Sequence, residues 1–325
     1  AQPSDDVGVE QAEKEFFKSV KILCEKNRLN KESFFAFLEK MQSVNTAVVG
    51  DIIVDTYTDC LPLGMSAEAP LIVAKELGSQ QFVGGAGVVA LHLESLCNSV
   101  TLITSVGEDQ AAKFIRNHLS KSKINAILEP DSEKPTTEKV RYTIGTQKIF
   151  RLSRLDDHDI TPDIEERICK AIEKAAKTVD CIVVSDFSYG VLTPKIIDLI
   201  MLEAKKRSRN LYFLGDTQTS SQIGDITKLK YFHTLFPTEK EARISLRDEV
   251  SNTDQLAYKL FDQTMSKNIV LKLGSDGFIL YEKKENNFIH RYHVPSLTQN
   301  AIDVTGAGDS LLSAFSAALS SSHNL

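Results

Sequence analysis

Asp303-Val304-Thr305-Gly306-Ala307-Gly308-Asp309-Ser310 places two glycines, a small residue between them and an acid at the mouth of a helix. The helix is legible from its apolar spacing: Leu311, Leu312, Phe315, Ala318 and Leu319 repeat at helical intervals. Gly306 and Gly308 let backbone N–H groups crowd at its first turn. A helix N-terminus carries unpaired donors and the positive end of the dipole, so it suits an anion. Asp309 stands where those donors point. A carboxylate beside an anion-binding loop makes sense if the acid takes a proton from a hydroxyl while Gly306, Ala307 and Gly308 stabilise charge on a moving phosphoryl group. A plain turn with a first-turn acid supporting the dipole would have the same local sequence.

Such a site needs a scaffold, and the chain alternates as one would. Ala47-Val48-Val49 reads as a first strand, ended by Gly50-Asp51 and followed by Ile52-Ile53-Val54-Asp55. Acids directly after a first strand suit a site at the carboxyl end of a parallel sheet. Asp51 and Asp55 are therefore candidates for binding hydroxyls, and either could equally be a turn acid. Phe82-Val83-Gly84-Gly85-Ala86-Gly87 opens a helix from Val88 to about Leu96, and its glycines permit close approach of backbone to a ligand. The dinucleotide spacing Gly-x-Gly-x-x-Gly is absent, which argues against a nicotinamide-dependent enzyme.

Strands are expected near Val100–Ile103, Cys181–Val184, Leu211–Leu214, Phe232–Phe236 and Ile269–Lys272. Helices are expected at Glu108–Ser120, Thr161–Thr178, Pro194–Lys206, Glu239–Leu246 and Asp254–Met265. This alternation predicts an α/β fold with a mostly parallel central sheet and helices on both faces. Between Thr136 and Leu152 the period changes to two, through Val140, Tyr142 and Ile144, then Gly145-Thr146, then Ile149 and Arg151. That is a hairpin. With the strand near Leu71 it would make a small β lid from segments at about 56–80 and 136–152. Residues 1–43 read as a helical extension, Gln11–Lys26 and Asn30–Met41, with Asn30 as N-cap; residues 44–325 read as the main domain.

The chain has 325 residues, 42% hydrophobic and 25% charged, as expected of a globular protein, and a net charge of −6 with no basic block, which disfavours nucleic acid. No apolar run approaches the length of a membrane span. The first residues lack a signal-peptide pattern. Cys24, Cys60, Cys97, Cys169 and Cys181 are scattered and odd in number, which suits thiols in a reducing compartment and a cytoplasmic location rather than a metal site.

Taken together, Gly84-Gly85-Ala86-Gly87-Val88-Val89-Ala90 and Asp303-Val304-Thr305-Gly306-Ala307-Gly308-Asp309 resemble the two signatures of the ribokinase, or PfkB-type, carbohydrate kinase family. The likeness covers roughly residues 46 to 319. Within the family it is closest to the bacterial heptose 7-phosphate kinases, through Val49-Gly50-Asp51 to Asp55, Glu68-Ala69-Pro70, Ser185-Asp186, Gly190-Val191-Leu192-Thr193 and the Gln147–Arg151 segment.

The resemblance implies a ribokinase-like fold and an ATP- and Mg²⁺-dependent phosphotransferase acting on a sugar or sugar phosphate, with a monovalent cation as a further cofactor. Asp309 would be the base and the Gly306–Gly308 backbone the anion hole. Asp51, Asp55, Gly84, Gly85 and Arg151 would meet the acceptor. Lys272, Gly274, Gly277, Thr305 and Asp186 would meet ATP, and Glu241 would help hold the metal. The lid could pair two subunits, as in some members of the family.

The chain departs from the pattern where Val88 replaces an asparagine, where Thr238-Glu239-Lys240-Glu241 replaces Asn-x-x-Glu, and where Gly215-Asp216-Thr217-Gln218 replaces Asp-Pro-Lys. Those changes suit a different acceptor, or a weakened or silent domain that binds a ligand or partner. Members of the family continue beyond the last helix, so a C-terminally truncated chain is also expected.

Overall fold

The structure, a computed structural model, describes residues 17–18, 20–145, 147–206, 211–219, 222–284, 288–297 and 304–321. Asp303 and the start of the expected helix Gln11–Lys26 lie outside them.

Nine strands form the central sheet in the order β13-β12-β11-β10-β9-β8-β1-β4-β5. They are β1 (Asn45–Gly50), β4 (Ser99–Gly107), β5 (Asn125–Asp131), β8 (Cys181–Asp186), β9 (Tyr212–Thr217), β10 (Thr234–Leu235), β11 (Asn268–Lys272), β12 (Phe278–Lys283) and β13 (Ile289–Val294). From β5 to β11 every pairing is parallel; β12 and β13 add an antiparallel edge. The central strands are apolar at consecutive positions because both faces are covered. Ala47 and Val49, with Ile182 and Val184, pack on one face beneath α4 (Pro162–Ala175), α5 (Pro194–Lys206), α6 (Glu239–Leu246) and α7 (Thr253–Thr264). Val48, Cys181 and Val183 pack on the other, beneath α1 (Lys31–Met41), α2 (Ala86–Glu94), α3 (Gln110–Leu119) and α8 (Ala307–Ser321). The ribokinase-like α/β expectation holds.

A second sheet, ordered β3-β2-β6-β7, stands beside the first. It is built from β2 (Ile52–Met65), β3 (Ile72–Gly85), β6 (Glu138–Ile144) and β7 (Gln147–Arg154). The length of β2 was not expected from sequence, since Pro62 and Gly64 interrupt its pattern; the ladder accommodates them with a register shift between Pro62 and Gly64. β5 and β13 were likewise not read as strands.

Asn30 caps α1, accepting the Ser33 N–H at 2.7 Å in a reciprocal capping box. In α8 the buried serines Ser313, Ser316 and Ser320 return their hydroxyls to carbonyls four residues back, at 2.7–2.8 Å. Small side chains with satisfied hydroxyls let α8 lie close to α2, where Ser313 also reaches the Val89 carbonyl at 3.3 Å. That approach sets the two glycine-led helix N-termini side by side. Among the described residues no helix is long and apolar enough to cross a membrane.

Candidate active site

The carboxyl ends of β9 and β11, the N-termini of α2 and α8 and one face of the small sheet enclose a cleft of 1390 Å³. Its lid wall follows from the period-two geometry of strands. On β2, Ile53, Asp55, Tyr57 and Asp59 point the same way. They stand beside Gly84, Phe82, Gln80 and Gly78 on β3, and Lys139, Arg141 and Thr143 adjoin them on β6.

The opposite wall is the glycine loop Thr305–Gly308. Gly306 takes φ +80°, a left-handed conformation suited to glycine, and turns the chain into α8. In the first turn of α8 the Ala307 N–H donates to the Val304 carbonyl at 3.1 Å and the Ser310 N–H to the Gly306 carbonyl at 2.9 Å, while for Gly308 and Asp309 the residue four back lies before the helix. Asp309 sits in that turn, buried, with Oδ1 accepting the Gln218 side-chain N–H at 2.9 Å. Burial pushes its carboxyl up to about 6, while the Lys272 ammonium and the Gln218 hydrogen bond pull it down.

Lys272, at the end of β11, donates to Asp216 Oδ2 at 2.6 Å. Asp216 is 1% exposed, and its Oδ1 has no hydrogen-bond partner among the described residues. Burial pushes its carboxyl up to about 7; Lys272 opposes that shift, and the charges of Glu241 and Asp309 add to it. Glu241 closes a capping box on α6: Oε2 accepts the Thr238 N–H at 2.8 Å and Oε1 the Thr219 N–H at 3.1 Å. Thr238 thus does the capping work an asparagine would do at the same position. Gly274 and Gly277 bracket a short turn between β11 and β12; a Cβ on Gly277 would lie 2.1 Å from the Val294 carbonyl oxygen.

Asp309, Gly306, Ala307, Gly308, Thr305, Lys272, Gly274, Gly277, Glu241, Asp55, Gly84 and Gly85 therefore share one cleft. Asp51, Asp186 and Arg151 stand outside its wall, which corrects their expected placement. Asp51 is 2% exposed and turns into the loop after β8, where it accepts the N–H groups of Phe187 at 2.8 Å, Tyr189 at 3.2 Å and Val191 at 3.2 Å. A carboxylate beside three converging amides is drawn to them rather than to solvent. Asp186 accepts the Ser188 N–H at 3.0 Å and pairs with Lys228 at 2.7 Å, away from the cleft. Arg151 is exposed on β7, the outer strand of the small sheet. Arg151 is the cross-strand partner of Arg141 and shares its face, one strand farther out; a register shift between Tyr142 and Thr143 turns Lys148 to that face as well, and Lys148 lines the cleft.

Sequence reading missed Arg141, Lys139 and Gln218. Arg141 pairs with Asp55, and its guanidinium lies 5.2 Å from the Tyr57 ring centroid. Lys139 is buried, its ammonium 4.9 Å from the Phe187 ring centroid. The alternation Lys139-x-Arg141-x-Thr143 is visible in the sequence, but its partner face Asp55-x-Tyr57-x-Asp59 becomes evident only when β2 is seen as one long strand. His92, on α2, meets Ser310 Oγ at 3.1 Å between the two glycine-led helices.

Residues 35–325 match the pfkB family carbohydrate kinase. The chain belongs to that family. It is 29% identical over 274 residues to the bifunctional protein HldE of Campylobacter jejuni subsp. doylei, covering 83% of this chain and 55% of that protein. It is 29% identical over 297 residues to the bifunctional protein HldE of Geobacter sulfurreducens, covering 90% and 58%. The chain thus spans little more than half the length of these curated relatives. Among solved structures, Arabidopsis thaliana ribokinase complexed with ribose and ATP superposes with a TM-score of 0.63 at 16% identity, over 86% of each chain. Escherichia coli phosphofructokinase-2 in complex with fructose-6-phosphate gives 0.67 at 14% identity, over 86% of this chain and 88% of that one. At such identities the likeness is one of fold.

Proposed function

We propose that this pfkB-family chain transfers the γ-phosphoryl group of ATP to a hydroxyl of a sugar phosphate, with a heptose phosphate as the first candidate acceptor. The observation that carries the reading is Asp309, buried at the N-terminus of α8 behind Gly306–Gly308 and opening on the large cleft. Asp309 takes the hydroxyl proton as the acceptor oxygen bonds to phosphorus; the bond from phosphorus to the bridging oxygen breaks, and ADP leaves with its electron pair. Gln218 holds Oδ1, which leaves Oδ2 to face the hydroxyl. The α8 amides meet charge on the transferred group. Phosphoryl transfer asks mainly for alignment and electrostatic stabilisation, which a rigid helix end and a closing lid supply.

The charges of Lys272, Glu241 and Asp309 converge on Asp216, and those of Lys272, Asp55 and Lys139 on Asp309, so carboxylates outnumber ammonium groups there. This excess of carboxylate suits a divalent cation among phosphates, and each Glu241 oxygen keeps a lone pair for a metal-bound water. When bound, Mg²⁺ would neutralise phosphate charge, and Glu241 would help to hold it.

Sequence likeness to the heptose 7-phosphate kinases and the names of the curated relatives support a heptose phosphate. Arg141 and Lys148 on the lid wall support an acceptor that carries its own phosphate. The test is ADP release with Mg·ATP across aldoses, ketoses, nucleosides, hexose phosphates and heptose phosphates. Turnover is expected with a phosphorylated acceptor, and no turnover on the whole panel refutes the reading. A silent binding module is the second reading, favoured by Val88, which gives the cleft an apolar side chain where the family has an asparagine. It predicts ligand binding without ADP release.

A homodimer through the lid is proposed as well. Leu61, Leu63, Met65, Ile72 and Phe150 leave the small sheet with exposed apolar side chains, more than a monomer ordinarily displays in one place. Light scattering at micromolar concentration should give twice the chain mass, and Leu63→Lys with Ile72→Lys should return it to one. A monomeric wild type sinks this part.

A further inference from the structure

At the Gly306–Gly308 loop, the ammonium of Lys272 reaches the place where a transferred phosphoryl group would lie. A Cβ added at Gly308 would stand 3.4 Å from Lys272 Nζ. The ammonium therefore hangs over the Gly306–Gly308 backbone, beside Asp309. Its stem is fixed at the root: the Lys272 N–H donates to the Pro237 carbonyl at 2.9 Å, and Leu273 N–H to the Gly277 carbonyl at 2.8 Å. Its tip is fixed by Asp216 Oδ2 at 2.6 Å. The side chain is 11% exposed and that of Asp216 is 1% exposed. The segment after β9, Gly215-Asp216-Thr217-Gln218, carries no lysine, so no cation enters the cleft from it.

We infer that Asp216 and Lys272 act as a unit in phosphoryl transfer, resting on the kinase reading above. Lys272 is the catalytic cation that meets the transferred phosphoryl oxygens, delivered from β11. Asp216 is the positioning residue that holds it over Gly308.

An ammonium has three donors, so one can stay on Asp216 while the others meet phosphate oxygens. The buried carboxylate limits the wandering that an unbraced lysine stem would allow and takes nothing from the phosphate itself. The groups facing this ammonium are Asp216, Asp309 and, through Asp216, Glu241; Gln218 shields one oxygen of Asp309. The unpartnered Asp216 Oδ1 is consistent with a carboxylate kept for one task rather than for a hydrogen-bond network. As charge builds on the phosphoryl oxygens, a nearby desolvated cation gains still more there than on the bound nucleotide, so its loss lowers turnover by more than it lowers Mg·ATP affinity.

The test is a double-mutant cycle on the full chain. Lys272→Met should lower kcat about 100-fold with the acceptor KM unchanged, and Lys272→Arg should recover part of that loss. Asp216→Asn should lower kcat roughly tenfold in the wild-type background and not at all in Lys272→Met, because it acts only through the lysine. Lys272→Met alone strands a buried carboxylate and should lower the melting temperature, which Asp216→Asn should restore in the double variant. A kcat within threefold of wild type for Lys272→Met overturns the inference and leaves the kinase reading standing; so do additive losses in the cycle. If wild type turns over no acceptor, calorimetry with Mg·ATP decides. Affinity at least tenfold weaker in Lys272→Met supports the pair. Equal affinity, or no binding by wild type, overturns it.

Discussion

Asp309→Asn lowers turnover roughly 10³-fold and leaves Mg·ATP affinity within about threefold. The carboxylate acts on the acceptor proton, whereas the nucleotide is held by backbone and by Lys272, which the substitution does not touch. Asparagine keeps the shape and can still receive the Gln218 hydrogen bond at Oδ1. What it loses is the ability to take a proton. The pH dependence separates this from a general disturbance. Burial pushes Asp309 up to about 6, so wild-type kcat/KM should fall below that pH as the base becomes protonated, and the residual activity of the variant should lack that limb.

The same shift has a consequence for stability. An acid whose folded value is raised binds its proton more tightly in the folded state. Its stabilising contribution is complete below about 3.8 and is lost as pH rises through about 6. At pH 8 the ionised, buried Asp309 therefore costs stability, and Asp309→Asn should raise the fold's stability by about 2 kcal/mol. Steady-state kinetics and urea denaturation on one preparation check both halves. A variant with more than a tenth of wild-type turnover would remove Asp309 from the role of base.

Asp51→Ala should destabilise the fold by about 3 kcal/mol. Asp51 is buried, and its two oxygens accept the N–H groups of Phe187, Tyr189 and Val191. Alanine leaves those three donors facing a void. Each buried, unpaired donor costs roughly 1–3 kcal/mol unless water enters to bind it. An opposing effect is present: burial, with Asp186 adding to it, pushes the Asp51 carboxyl up to about 6, so at neutral pH the ionised group already costs something that alanine would relieve. The loss of several charge-assisted hydrogen bonds outweighs that relief. The balance shifts with pH in a stated direction. Because the folded value is raised, the carboxyl's contribution to stability grows as pH falls from about 6 towards 3.8, so the variant should lose more relative to wild type at pH 5 than at pH 8. Urea titrations at the two pH values measure it. A loss below about 1 kcal/mol at both would show that the loop does not depend on Asp51.

The contrast between Asp51 and Asp55 separates what sequence can decide from what it cannot. Both are acids just after the first strand, four residues apart, and local pattern treats them alike. In the fold, Asp51 lies at the β1–β2 junction, where the loop after β8 brings its amides across, while Asp55 lies a few residues into β2 and faces Arg141. The loop is more than a hundred residues away in sequence, so no local pattern could assign the two roles. Arg151 and Arg141 repeat the lesson: they are cross-strand partners on one face, and only the strand order, with β6 inside β7, puts Arg141 at the cleft wall.

By itself the sequence determined the strand–helix alternation, the burial of both faces of the central strands, the two glycine-led helices and the acid at the head of α8. These depend on periodicity, capping and backbone freedom, which act over a few residues. Only the tertiary structure decided that α2 and α8 begin side by side, that Lys272 from β11 stands over Gly308, that Asp216 braces it and that Gln218 holds Asp309. Those are contacts between residues tens to hundreds of positions apart, and they exist only because a parallel sheet gathers the carboxyl ends of its strands at one edge.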